Sequence, residues 1–282
     1  MKRPSFWVGL MVFMVSWTVI LMTNANTVSY WDCGEFAACS YTLGVPHPPG
    51  SPLFIMVGRL FTFLPFGEIA TRVTQFSSLS GAFTILLTFL IVLRLVRLYR
   101  GKEESLTDRI SVLGGAAVGA LALSWSPSFW FNVVESEVYG VSLFLTVIVF
   151  WLVLKWMDNS ETGENDHYLL LATYLNGFAI TIHLLNLLTI PTLFLLIWYQ
   201  RKRLSYLLLL GWTLSLVIID LPLDIGVPFW LKLLSVPIAL GFYAYFKRSS
   251  DHESALVPMV HLLTFLGFTL YALILIRSQL NL

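Results

Sequence analysis

The run VYGVSLFLTVIVFWLVLKWM, from Val138 to Met157, indicates a membrane protein, because about twenty apolar residues make a helix long enough to cross the hydrocarbon core of a bilayer. Comparable runs recur along the whole chain. Of the 282 residues, 57% are hydrophobic and 12% are charged, which is more apolar surface than a water-soluble domain of this size can bury. The sequence therefore predicts an all-α, polytopic integral membrane protein.

These runs predict a bundle of about nine transmembrane helices. The predicted ranges are Phe6–Met22, Ile69–Val96, Ile110–Ser126, Val138–Met157, Tyr168–Ile182, Leu184–Tyr199, Leu204–Leu221, Phe229–Phe246 and Ala255–Ile276. The first is interpreted as a span and not as a cleaved signal peptide, because the run is long and no Ala-x-Ala site follows it. The long outer loop after it contains an apolar segment, Pro52–Leu64, that is expected to form an interfacial helix.

The distribution of Lys and Arg predicts the orientation, because cytoplasmic loops carry most of the positive charge. With a cytoplasmic N-terminus, the inner positions are Arg94, Arg97, Arg100, Lys102, Arg109, Lys155, Arg201, Lys202, Arg203, Lys247 and Arg248, and only Arg59, Arg72, Lys232 and Arg277 lie outside. Residues 167–200 would be about 50 Å long as one helix, so the chain must turn, and we expect the bend near His183. The bend places His183 and Asn186 at membrane depth, facing outward.

Ionisable residues gather in the predicted outer loops, where several of one type on one face indicate a functional site. Asp32 and Glu35 lie three residues apart between aromatic residues, so a helical turn would bring both carboxylates to one side. Such a pair raises its own pKa values and suits a general base. The alternative is an N-cap at Asp32 with Glu35 as its capping carboxylate, and the spacing favours neither.

Other candidates have structural alternatives of their own. His47 lies in a loop made rigid by four prolines, or it is a solvated histidine in a plain turn. Glu135 and Glu137 precede a span, where the helix macrodipole favours carboxylates in any case. The acidic residues Glu68, Asp220 and Asp224 are interpreted as solvated loop residues. No spacing is typical of a zinc site, a P-loop or a dinucleotide site, and no nucleic-acid partner is expected.

The two cysteines, Cys33 and Cys39, would face an oxidising compartment in an inner-membrane protein. They either form a disulfide or pack as small side chains.

Five blocks carry a resemblance to a known family. They are YWDCGEF at 30–36, GVPHPPG at 44–50, LPFG at 64–67, ESEVY at 135–139 and IHLLNLL at 182–188. In this order they resemble the domain of unknown function 2723 family, whose animal member is a protein O-mannosyltransferase. The chain looks like a shortened bacterial relative, with the match running to about Pro191. Family members are commonly longer, and the section Leu204–Phe246 resembles none of their blocks.

The resemblance implies a fold of the C superfamily of glycosyltransferases (GT-C). In that superfamily a sugar passes from a polyprenyl-phosphate donor to an acceptor outside the membrane, and an acidic residue of the first outer loop is catalytic. Asp32 matches that place, with Glu35 as the second choice. Residues 1–203 are then expected to form the GT-C-like catalytic membrane module, and residues 204–282 to add further transmembrane helices.

The functional hypothesis is transfer of a mannose-like sugar from a polyprenyl-phosphate donor to a hydroxyl acceptor, protein Ser or Thr in the first place. The expected location is a bacterial inner membrane, with the active site facing the periplasm or exterior. The expected substrate-binding residues are His47, Arg59, Arg72, Glu135, Glu137, Tyr139, His183 and Asn186. A divalent cation held by Asp32 and Glu137 fits the ligand types, but the sequence does not require one.

The main alternative is a transporter or lipid flippase, in which the intramembrane polar groups would mark a translocation path. The lack of a clear internal repeat and the position of the polar groups on one side speak against it. A non-catalytic membrane subunit is the third class considered.

Overall fold

A computed structural model describes residues 2–48, 50–101, 105–158, 164–201, 210–211, 233–249 and 252–271. Its secondary structure in these ranges is helical. The helices are α1 (Lys2–Met22), α2 (Cys33–Thr42), α3 (Pro52–Phe61), α4 (Ile69–Arg100), α5 (Leu106–Ser124), α6 (Pro127–Val133), α7 (Val138–Met157), α8 (Asp166–Ile182), a 3₁₀ helix (Leu184–Leu188), α9 (Thr189–Gln200), α10 (Ser235–Arg248) and α11 (His252–Phe268).

Four helices in the described ranges are long and apolar enough to cross a membrane. They are Pro4–Met22 within α1, α4, α5 and α7. Many of their large apolar side chains, such as Trp7, Val118 and Phe150, are exposed in the isolated chain, as expected of residues that face lipid. The all-α, multi-pass prediction is confirmed at this level, and the number nine stays a prediction.

The chain divides into two compact units. Unit 1 comprises Met1–Pro46 and Phe54–Ile148, and unit 2 comprises His47–Leu53 and Val149–Leu282. The predicted boundary at residue 203 and most of the predicted span Leu204–Leu221 lie outside the described residues.

Unit 1 is built around α4, which packs against α1 and α5. Their core is apolar and includes Val12, Ile85, Phe89 and Ala116, all nearly inaccessible to solvent. Within it, the hydroxyl groups of Ser16 on α1 and Ser124 on α5 are hydrogen-bonded at 2.8 Å. One hydroxyl donates and the other accepts, so both buried oxygens take part in a hydrogen bond.

Unit 2 is built on the packing of α8 against α11, with α10 beside α11. Gly177 and Gly267 face each other where α8 and α11 cross, and a Cβ added at Gly177 would collide with the carbonyl oxygen of Thr264. The lack of side chains at both positions lets the two backbones approach. Above this crossing, Ile180, Ile190, Phe268 and Tyr271 form a small apolar cluster.

The predicted bend near His183 is confirmed. Helix α8 ends at Ile182, His183 is extended (φ −151°, ψ 131°), and the 3₁₀ helix leads into α9. At the far ends of the two arms, the guanidinium of Arg201 pairs with the carboxylate of Asp166. The indole Nε1 of Trp156 also donates to Asp166, at 2.9 Å. Residues 166–201 therefore form a helical hairpin closed by an ion pair.

The structure differs most from the sequence-based prediction in the short helices. The interfacial segment predicted as Pro52–Leu64 is helical as α3, from Pro52 to Phe61. Helix α6, from Pro127 to Val133, was not predicted at all. It has only seven residues, and its apolar run is too short to signal a span.

Candidate active site

Asp32 lies directly before α2, at the N-cap position that the capping alternative predicted. Its backbone is nevertheless helical (φ −82°, ψ −3°), and its side chain makes no capping hydrogen bond to the first amides of α2. A capping side chain usually requires an extended backbone at this residue, which explains the missing bond. The Asp32 carboxylate is exposed, and Glu35 in the first turn of α2 is half-buried.

The residue before Asp32 has a strained backbone. Trp31 adopts φ 61°, in the left-handed region that residues with a side chain rarely occupy, and its indole is 92% exposed. Left-handed residues other than glycine concentrate in this first loop, since Leu43 (φ 56°) and Ser51 (φ 39°) share the feature. Such strain is common at functional sites, where the surrounding structure maintains it.

A second acidic group lies at the start of α7. Glu137 is buried, with 7% of its surface exposed, and Glu135 is half-buried. The thiol of Cys33, the first residue of α2, donates to Glu137 Oε1 at 3.3 Å and to Glu135 Oε2 at 3.5 Å. Residues more than a hundred positions apart thus meet at one place in unit 1, which we name the thiol–carboxylate cluster: Cys33, Glu135 and Glu137.

Hydroxyl groups on α4 hold this acidic segment in place. Ser77 donates to the carbonyl of Glu137 at 2.9 Å, and Ser78 donates to the carbonyl of Val133 at 3.0 Å. The hydroxyls of Thr74 and Ser136 are hydrogen-bonded at 2.8 Å. These contacts satisfy the polar backbone of a short buried loop, so Glu135 and Glu137 stand on a rigid support.

Burial changes the protonation of the cluster. Burial raises the pKa of Glu137, the negative charges of Asp32 and Glu135 raise it further, and the hydrogen bond from Cys33 opposes the rise. Burial, followed by the charge of Glu137, raises the pKa of the Cys33 thiol. Cys33 is therefore a protonated hydrogen-bond donor at neutral pH and not a thiolate nucleophile.

The disulfide alternative for Cys33 and Cys39 is not formed, since both cysteines are free. They lie six positions apart on α2, which separates their Cα atoms by about 9 Å along the axis, too far for an S–S bond. The alternative that the cysteines pack as small side chains agrees better with the structure. Neither alternative predicted the contact of Cys33 with two carboxylates.

The two arginines of unit 1 that were predicted to bind substrate have different surroundings. Arg72 donates to the carbonyls of Thr62 (3.0 Å), Phe66 (2.9 Å) and Gly67 (2.9 Å), so its guanidinium stabilises the turn between α3 and α4. Arg59 donates to the carbonyl of Tyr41 and lies over the rings of Tyr41 and Phe63, 5.4 and 4.8 Å from their centroids.

The predicted histidines lie in unit 2. The loop of His47 turns back on itself through a hydrogen bond from Gly50 N to His47 O (2.9 Å), and His47 is exposed. Ser51 then donates to the carbonyl of Ile182 at 2.8 Å. This bond attaches the proline-rich loop to the end of α8, next to His183.

His183 and Asn186 form the turn of the hairpin. The amide of Leu185 donates to His183 Nδ1 at 3.2 Å, which makes Nδ1 an acceptor and leaves the ring hydrogen of the neutral form on Nε2. Burial lowers the pKa of His183. Asn186 is buried, and its side-chain amide donates to the carbonyls of Ala179 (2.9 Å) and His183 (3.0 Å), so it caps α8. Together these bonds make His183 a neutral Nε2–H donor.

Tyr139 lies in the first turn of α7 and is exposed. Within unit 1 the structure thus brings together Cys33, Glu135 and Glu137. Within unit 2 it joins the His47 loop to the turn of His183 and Asn186. Sequence reasoning missed Cys33, although its position between Asp32 and Glu35 in the first block was the available signal.

Comparison with known proteins identifies the family. The model of the protein O-mannosyl-transferase TMEM260 N-terminal domain matches residues 32–206, more than half of the chain. The chain belongs to this family. The match begins at Asp32 and includes the thiol–carboxylate cluster and the turn of His183 and Asn186, which we name the histidine turn.

Two curated relatives are similar to this family member. The protein O-mannosyl-transferase TMEM260 of Mus musculus is 28% identical over 210 residues, covering 72% of this chain and 28% of the mouse protein. The protein O-mannosyl-transferase tmem260 of Dictyostelium discoideum is 26% identical over 209 residues, covering 68% of this chain and 24% of its own length. The chain thus spans about a quarter of these relatives. No solved structure matches it.

Proposed function

We propose that this chain is the membrane module of a glycosyltransferase with a GT-C-like fold. The reaction transfers a mannose-like sugar from a polyprenyl phosphate to a Ser or Thr hydroxyl of a protein, on the extracytoplasmic side of a bacterial inner membrane. The observation that carries the proposal is the family match beginning at Asp32, whose carboxylate is exposed at the start of α2.

Asp32 is the proposed catalytic base, with Glu35 as the second choice. The acceptor oxygen bonds to the anomeric carbon while the bond from that carbon to the phosphate oxygen breaks. Asp32 takes the hydroxyl proton, and the lipid phosphate leaves with the bonding electron pair. An exposed carboxylate beside a strained Trp31 supports this role, because acceptor access requires an open face.

The leaving phosphate needs a cation or a hydrogen-bond donor. The proposed residues in unit 1 are Arg59 and Arg72. Arg59 is the better supported, because Arg72 already stabilises three carbonyls of a turn. In unit 2 the exposed His47 has the same proposed role, on a loop that prolines keep in one shape.

Sugar and lipid recognition are assigned to the remaining residues. Glu135, Glu137 and Tyr139 are proposed to bind sugar hydroxyls, for which a rigidly held carboxylate is a good acceptor. His183 is proposed to donate from Nε2 to the lipid-linked donor, and Asn186 supports it by fixing the turn. A neutral donor fits a partly buried position better than an imidazolium would.

The proposal is tested with the full chain, purified in detergent and given radiolabelled mannosyl polyprenyl phosphate and a Ser/Thr peptide. Asp32→Asn keeps the shape of the side chain but removes the base, so transfer should fall by about a hundredfold or more. Glu68→Gln, which likewise keeps the side-chain shape and removes an exposed outer-loop carboxylate, is the matched control and should retain activity. Equal transfer by Asp32→Asn and the parent would refute the assigned base.

A further inference from the structure

We propose that Cys33 is a positioning residue for Glu137: its thiol donates to the Glu135 and Glu137 carboxylates and fixes the direction of Glu137 relative to the start of α2. This inference deepens the proposed function, since it assigns how one sugar-binding carboxylate is held. The contact between Cys33 and the two carboxylates can be tested without any measurement of activity.

The geometry supports a specific contact and not mere packing. Cys33 is 2% exposed and is the first residue of α2, while Glu135 and Glu137 flank Ser136 just before α7. The sulfur is within hydrogen-bonding distance of both carboxylates, 3.3 Å from Glu137 and 3.5 Å from Glu135. One donor between two acceptors thus connects the start of α2 directly to the acidic segment before α7.

The thiol has a chemical role between the two carboxylates. Two neighbouring carboxylates repel each other, and a hydrogen bond to the ionised form reduces that repulsion. The same negative charges keep the buried thiol protonated, so the donor is retained at neutral pH. The groups acting on Glu137 are Cys33 and Asp32 from the start of α2, the backbone amide of Val138 and Glu135 from its own loop.

The first experiment is infrared spectroscopy of the S–H stretch in the purified chain. The chain has two cysteines, so Cys39→Ala leaves Cys33 as its single thiol. We expect its S–H band at a frequency lowered by hydrogen bonding, and we expect Glu137→Gln in this background to move the band to higher frequency. Glu68→Gln is the control and should leave the band in place. An identical band with and without the Glu137 carboxylate would overturn the inference.

The second experiment uses the transfer reaction. Cys33→Ser keeps a donor and Cys33→Ala removes it. The alanine variant should lose about tenfold in kcat relative to the serine variant, the effect of one hydrogen bond to a charged group. The acid limb of its pH–kcat profile should move to higher pH, because the lost donor favoured ionised Glu137. Cys39→Ala is the matched control and should resemble the parent.

The outcomes separate the two proposals. Equal losses in Cys33→Ser and Cys33→Ala, with unshifted pH profiles, would mean that the sulfur only fills space and would overturn the positioning role. A parent chain without transfer activity would count against the glycosyltransferase, and the infrared band would then decide whether Cys33 holds Glu137.

Discussion

The thiol–carboxylate cluster of unit 1 and the histidine turn of unit 2 are supported by different means. The cluster stands on hydrogen bonds, from Ser77 and Ser78 on α4 to the carbonyls of the acidic segment. The turn stands at the end of α8, which approaches α11 closely through Gly177 and Gly267. Loss of a supporting hydroxyl should therefore destabilise the cluster, whereas added side-chain volume between α8 and α11 should destabilise the turn.

The two regions also differ in the type of ionisable group they bury, an acid in the cluster and a base in the turn, although burial favours the neutral form of both. Burial raises the pKa of Glu137 and lowers that of His183. The stability of the two regions should therefore depend on pH in opposite directions.

The largest effect is expected from Gly177→Val. Its side chain would meet the backbone of α11 at Thr264 and Gly267, which has no flexible atoms to move aside. We expect a loss of about 3 kcal/mol or more, seen as a strongly lowered Tm in detergent or as aggregation. Gly241→Val on α10 is the control, because a Cβ there meets open space. An unchanged Tm for Gly177→Val would show that α8 and α11 need no close approach.

A smaller loss is expected from Ser78→Ala. The single hydrogen of this hydroxyl lies within reach of three acceptors, Asn24 Oδ1 (2.8 Å), Val133 O (3.0 Å) and Thr74 O (3.0 Å), so its removal takes a buried donor away from them. The expected cost is about 2 kcal/mol, measured by thermal unfolding. Thr84→Val on the same helix is the matched control, since its buried hydroxyl bonds to Ser80 O within α4. If both variants lose the same stability, the Ser78 hydroxyl has no specific role in holding the acidic segment.

The stability of the histidine turn should depend on a hydrogen-bond acceptor at position 183. His183→Ala removes the partner of the Leu185 amide and should cost about 1 kcal/mol, whereas His183→Asn can keep an acceptor near the place of Nδ1. The unfolded chain takes up a proton on His183 more readily than the folded one, so the parent loses stability as pH falls below 6.5. Both variants should lack this loss in Tm measured against pH, and a parent Tm that stays flat below 6.5 would contradict it.

An effect as small as that of His183→Ala is expected from Glu137→Gln, and its pH dependence has the opposite sign. The folded state holds the Glu137 proton more tightly, so the parent loses stability as pH rises above 4.5 toward the raised pKa of the folded state. A glutamine side chain cannot ionise, so this variant should be more stable than the parent at neutral pH by about 1 kcal/mol, or about 2–4 °C in Tm. Glu135→Gln, at a half-buried position, should change less.

Length and hydropathy were enough to predict the long elements. The span Val138–Met157 has the predicted bounds, and the bend at His183 followed from the length of residues 167–200 alone. Both depend on local sequence and on the thickness of a bilayer. Helix α6 was missed because seven residues carry no comparable constraint.

The details of the candidate site depend on contacts that a single sequence does not contain. The pattern Asp32-x-x-Glu35 predicted the N-cap position correctly but not its helical backbone, which is what prevents the capping bond. The contact of Cys33 with Glu137 joins residues 104 positions apart. Arg72 donates to carbonyls of the turn that follows α3, and this contact likewise depends on where α3 ends. The catalytic and binding roles stay predictions.

The left-handed Trp31 has a consequence for how the loop can move. The left-handed region is narrow for a residue with a side chain, so the peptide joining Trp31 to Asp32 has little rotational freedom. A backbone rearrangement that re-aims the Asp32 carboxylate by rotation at Trp31 would also move the exposed indole. Position 31 is thus a natural place for a fluorinated tryptophan, whose resonance would report loop geometry without a label on the carboxylate itself.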